Sequence, residues 1–174
     1  MVSAGDRFPE NSRIQVKSNR PGWISLVVHP ALESKEQITK CFRPHLNELP
    51  EGLAEALLLA LDELVGNAME HGCRLESERC VDVSLVRTSR MLLLYVRDDG
   101  AGFSINHLEH AAVSNPPDNP LRHTELRSKM GLRPGGFGIM LAQQVADELI
   151  YNEYGNAVML IKYLDGASTP QLSD

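Results

Sequence analysis

From Glu51 to about His71 the chain repeats apolar residues at helical spacing: Leu53, Leu57, Ala60, Leu61, Leu64, Val65 and Ala68. A stripe that broad has to be buried against another layer, so this segment predicts the central helix of the fold. Leu49, Pro50 and Glu51 suit its first turn, and Gly72 directly after it is a natural helix-stop residue. On the polar side, Glu63, Asn67 and His71 recur at i, i+4 and i+8. They share one helix face, each about 6 Å along the axis from the last.

Alternation supplies the layer that the helix needs. Arg13 to Lys17 and Trp23 to Val28 read as strands around an Asn19-Arg20-Pro21-Gly22 turn. Val81 to Arg87 and Met91 to Arg97 form a hairpin across Thr88, Ser89 and Arg90. Glu148 to Asn152 and Ala157 to Tyr163 close the domain around Tyr154, Gly155 and Asn156. Two further helices are predicted, from Glu33 to Leu46 and from Gly138 to about Asp147. Six strands and three helices fit an α+β two-layer sandwich, a mostly antiparallel mixed sheet with helices on one face. With 174 residues there is room for one core and not for two ordinary domains.

Asp98 to Phe137 breaks the pattern, holding three of the six histidines and little periodicity. A long structureless stretch inside a domain is uncommon and usually functional, which makes residues 103–134 a candidate lid. Residues 1–11 and 165–174 read as a flexible start and a disordered tail around a domain at 12–164. The polar start, with Pro9, does not read as a secretory signal peptide, and no apolar run reaches membrane-spanning length. Net charge is −6, against non-specific nucleic-acid binding. Cys41, Cys73 and Cys80 are odd in number and lack C-x-x-C spacing, which reads as reduced thiols in a cytoplasmic protein.

Three segments carry candidate chemistry. On the central helix, Glu63 can accept the proton of an attacking hydroxyl or water, and Asn67 offers a neutral oxygen to a hard cation such as Mg²⁺. Asp98, at a strand end, can accept hydrogen bonds from an exocyclic amine, while Gly100 and Gly102 allow close backbone approach. Arg133 to Gly138 opens a helix, where backbone amides and the helix dipole favour a phosphate. Each segment alone also fits a bland role: a solvated polar stripe, a glycine turn, a helix-opening loop. Their joint occurrence in this order is what points to one site.

Together the segments resemble the asparagine box and the two glycine boxes of the GHKL (histidine kinase-like) ATPase superfamily. The stretch from Leu61 to Gly72 and the stretch from Pro134 to Met140 resemble one branch, the anti-sigma factor serine kinases, RsbW-like and SpoIIAB-like. The likeness covers about residues 12–164. It implies the Bergerat ATP-binding fold, with ATP and Mg²⁺ as cofactors. It makes Glu63 the general base, Asn67 the metal ligand and Asp98 the contact to the adenine amine. Gly100 and Gly102 would then shape the pocket, and Gly135, Gly136 and Gly138 would wrap the phosphates. Arg133, or else Arg127 or Lys129, would reach the γ-phosphate. Many relatives carry Thr just before the last strand to support the adenine; Asn156 stands at that position here.

The resemblance further implies a homodimeric protein-serine kinase whose partners are a STAS-type anti-anti-sigma protein and a sigma factor. Two other readings stand beside it: a non-catalytic, nucleotide-gated binding module, and the detached ATPase domain of a histidine kinase. The second would need a phospho-accepting His on a long helical hairpin, which Ile14 to Leu46 does not offer. His107 and His110, one helical turn apart, lack a third ligand for a metal.

Overall fold

The computed structural model describes residues 13–102, 119, 122–129 and 137–164. Its elements run β1 (Ile14–Arg20), β2 (Trp23–Val28), α1 (Lys35–Phe42), α2 (Glu51–Asn67), β3 (Val81–Arg87), β4 (Met91–Asp98), α3 (Arg122–Lys129), α4 (Gly138–Val145), β5 (Glu148–Tyr151) and β6 (Ala157–Tyr163). The strands form one six-stranded sheet in the order β1-β2-β3-β4-β6-β5. Every neighbouring pair is antiparallel, so the sheet expected to be mixed has no parallel pair among the described residues.

Register explains the core. Ile24, Leu85, Leu94, Leu160 and Leu149 lie opposite one another in sequence across the sheet, and Leu26, Val83, Val96 and Val158 form the next such row. Alternation sends these side chains to one face. There they share a buried cluster with Leu57, Leu61, Leu64, Val65 and Ala68 of α2, Ile38 and Phe42 of α1, and Ala142 and Val145 of α4. A third row runs Ile14, Val28, Val81 and then Asp98. Asp98 therefore follows Leu92, Leu94 and Val96 in the inward register of β4, and it is buried with them. The strand pattern itself delivers a carboxylate to the helix layer.

Several elements depart from the sequence reading. The helix expected over Glu33 to Leu46 is three pieces: 3-10 turns at Leu32–Ser34 and Arg43–Leu46 flank α1. Pro44 has no amide to donate and accounts for the change after Phe42. The central helix continues past Asn67 as a π-helical turn, Ala68–Gly72. Gly72 is not left-handed; the positive φ angles fall on Arg74 and Leu75, at 54° and 57°. Within the stretch expected to lack structure stands α3, whose sequence RHTELRSK has a single apolar residue, Leu126, and so no stripe to read. Phe42 is fully buried, whereas Trp23 is 44% exposed. Residues 1–11, 165–174 and most of 103–134 lie outside the described residues.

Candidate functional site

Two groups of residues meet along α2. In the last turn of α2, α4 begins directly over Glu63 and Asn67. A Cβ on Gly138 would lie 2.8 Å from Glu63 Oε2, 3.0 Å from Glu63 Cβ and 3.2 Å from Asn67 Nδ2. Only a glycine lets the helix start this close. The first amides of α4 have no partner within the helix, and the dipole leaves that end positive, next to the Glu63 carboxylate. The positive end of a helix, an acidic side chain and a carboxamide are thus brought to one point.

At the end of the π turn the same helix meets β4. A Cβ on Gly72 would lie 2.2 Å from Asp98 Cγ, and one on Gly100 would lie 2.2 Å from the Gly72 carbonyl oxygen. Gly100 N donates to Asp98 Oδ1 at 2.7 Å. Asn156 donates through Nδ2 to the carbonyl oxygens of Asp98 and Gly100, both at 3.2 Å, while Asp98 N donates to Asn156 O at 2.9 Å. Gly102 adopts φ 76° with its Cα against the Tyr154 carbonyl, a conformation and a proximity that a side chain would oppose. Burial raises the Asp98 carboxyl above its ordinary value, and the charge of Asp99 adds to the rise against the Gly100 amide.

By helix geometry the two groups are separated by about 7 Å along the axis, from Asn67 to Gly72. The structure thus brings Glu63, Asn67 and Gly138 together, and Asp98, Gly100, Gly102 and Asn156 together, on one helix flank and its extension. Arg133, Gly135 and Gly136 lie outside the described residues, as do His107 and His110. Lys129 is exposed at the end of α3. Asp62, beside Glu63, turns away to pair with Lys35 of α1 at 2.9 Å.

Sequence reasoning gave Gly72 a role in stopping the helix, whereas its lack of a side chain serves the contact with Asp98. It also passed over Asn152, whose Oδ1 accepts from Asn156 N and Ala157 N and whose Nδ2 donates to Asn156 Oδ1. The asparagine pair four residues apart around a turn was the available signal.

The family model of the histidine kinase-like ATPase domain matches residues 29–162. The chain belongs to this family. Membership in an ATPase domain family implies use of ATP, and the antiparallel six-stranded sheet with its helix layer agrees with the GHKL arrangement. A serine-protein kinase RsbW from Oceanobacillus iheyensis is 24% identical over 111 residues, covering 63% of this chain and 65% of that protein. The chain therefore spans just under two thirds of the relative. Among the described residues of this family member, no helix is long and apolar enough to cross a membrane.

Proposed function

We propose that this histidine kinase-like domain is a cytoplasmic, homodimeric anti-sigma factor that also acts as a protein-serine kinase on a STAS-type antagonist. The observation that carries the reading is the placement of Glu63 and Asn67 against the start of α4, with Asp98 held in the same layer by Gly72 and Asn156. The likeness to a serine-protein kinase supports the same assignment.

In this reading Asp98 accepts a hydrogen bond from the adenine amine, and Gly100 and Gly102 shape the pocket by letting the turn pack against the Gly72 and Tyr154 carbonyls. The phosphates lie along Gly135, Gly136 and Gly138, with Arg133 at the γ-phosphate. No cluster of three acidic, His or Cys residues suited to a metal occurs among the described residues. A site built from the Asn67 carboxamide, phosphate oxygens and water fits Mg²⁺, which keeps few protein ligands. Mg²⁺ bound there supplies charge neutralisation to the triphosphate. Glu63 accepts the proton of the partner's serine hydroxyl as its oxygen bonds to the γ-phosphorus and the bond from phosphorus to the bridging oxygen breaks, releasing ADP. Exclusive binding of antagonist or sigma factor to one dimer completes the regulatory role.

The test is incubation with MgATP and a STAS-type candidate, followed by intact mass measurement. The expected result is one added phosphate on the partner, lost in Glu63→Ala while nucleotide binding persists. Tight nucleotide-dependent partner binding with no transfer would instead favour the non-catalytic module.

A further inference from the structure

The ladder between β3 and β4 ends at the pair Val81 and Asp98, and side chains hold what lies beyond it. Cys80 donates through Sγ to Asp99 Oδ2 at 3.0 Å, and Arg79 donates through Nη1 to the Asp99 carbonyl oxygen at 2.9 Å. Arg79 is itself fixed by Glu76, with Nε 2.6 Å from Oε2. Cys73, just past the π turn, donates its thiol to the Cys80 carbonyl oxygen at 3.4 Å. Burial pushes the Cys73 thiol up to about 11, so it stays a protonated donor at neutral pH.

These contacts run from the helix that carries Glu63 and Asn67, through both thiols, to the residue beside Asp98. Asn156 grips the far side of the same turn. The turn is therefore held from both neighbouring strands, through Asp99 on one side and through the Asp98 and Gly100 carbonyls on the other. Hydrogen bonds weaken steeply with misalignment. A carboxylate that must discriminate between bases needs its backbone fixed on both sides.

We propose that Arg79 and Cys80 are positioning residues for nucleobase selection: by fixing Asp99 they aim the Asp98 carboxylate at an exocyclic amine. The proposal rests on the adenine role given to Asp98 above. It assigns Cys73 and Cys80 a mechanical task that thiol chemistry does not require.

The experiment titrates the full chain with adenosine and inosine triphosphates in the presence of magnesium. Inosine carries a carbonyl where adenosine carries the amine, so the affinity ratio reports the aim of Asp98 and not the stability of the fold. Wild type is expected to prefer adenosine. Arg79→Ala and Cys80→Val, which lose the donors, should lower that preference by about threefold or more, while Cys80→Ser, which keeps a donor, retains it. Arg79→Gln decides the case if Arg79→Ala does not fold. An unchanged ratio in the donor-less variants overturns the positioning role, whatever happens to their melting temperatures. A wild type without adenosine preference overturns the role of Asp98 as well, so the two failures are distinct.

Discussion

The end of α2 and the end of β4 touch through a residue without a side chain: a Cβ on Gly72 would stand 2.2 Å from Asp98 Cγ and 2.4 Å from both carboxylate oxygens. Gly72→Ala must therefore displace a buried carboxylate or the π turn, and overpacking of this kind costs about 1–3 kcal/mol. Gly66→Ala, on the same helix, is the control. Its nearest neighbour would be Lys35 Nζ at 2.9 Å, the far end of a flexible side chain. Alanine there also gains up to about 1 kcal/mol of helix propensity. Urea unfolding should place Gly66→Ala near wild type and Gly72→Ala clearly below it. Calorimetry should find adenosine nucleotide affinity reduced about tenfold or more in Gly72→Ala alone, the equivalent of about 1.4 kcal/mol.

Asp98→Asn should separate stability from binding. Burial raises the Asp98 carboxyl in the folded protein, so its ionised form is disfavoured relative to the unfolded chain. That penalty is fully present above the folded pKa and fades as pH falls toward the unfolded value near about 3.9. Wild type should accordingly gain stability relative to Asp98→Asn on acidification, and at neutral pH the amide variant should be at least as stable. Denaturant midpoints across that range measure the difference. Adenosine nucleotide affinity should be lost in the variant, because an amide can turn a donor toward the base amine.

The sequence carried the strands and α2 because each has a strong period: alternation in Leu92, Leu94, Val96 and Asp98, and the broad stripe from Leu53 to Ala68. It also carried the pairing of Glu63 with Asn67, since i and i+4 share a helix face. What it concealed depends on contacts between distant positions. Asp99 meets Arg79 and Cys80 across about twenty residues of chain, and nothing in the local spacing announces it. Gly72 looked like a helix stop because a glycine after an apolar stripe usually is one; its close approach to Asp98 becomes visible only when β4 is set beside α2. The segment α3 has no apolar face, so no period could reveal it.

Asn156→Asp should weaken nucleotide binding more than Asn156→Ala. The amide nitrogen donates to two carbonyl oxygens of the Asp98 turn, and alanine leaves both without that donor, at roughly 1–3 kcal/mol. Aspartate puts an acceptor and a charge in the same place, next to a carboxyl that burial already disfavours as an ion. Calorimetric affinities for adenosine nucleotide should therefore fall in the order wild type, Asn156→Ala, Asn156→Asp. The reverse order for the two variants would remove Asn156 from the support of the turn.

Gly138→Ala isolates the phosphate end of the site from the base end. The added methyl would lie 3.0 Å from Glu63 Cβ and 2.8 Å from Glu63 Oε2, so the carboxylate swings away or α4 shifts back. Alanine at this first helical position does not suffer the backbone strain that a left-handed site would impose, since Gly138 is absent from the residues of positive φ. The fold should therefore lose little, while phosphate transfer to a partner serine should fall by about tenfold or more, because small misplacements of a base reduce rates steeply. The adenosine-to-inosine affinity ratio should stay at the wild-type value, as the Asp98 turn is untouched. Single-turnover transfer rates alongside that ratio make the check. A variant that loses base selectivity but keeps its transfer rate would mean that the start of α4 serves the base and not the phosphates, reversing the roles given to the Glu63–Asn67 and Asp98 groups.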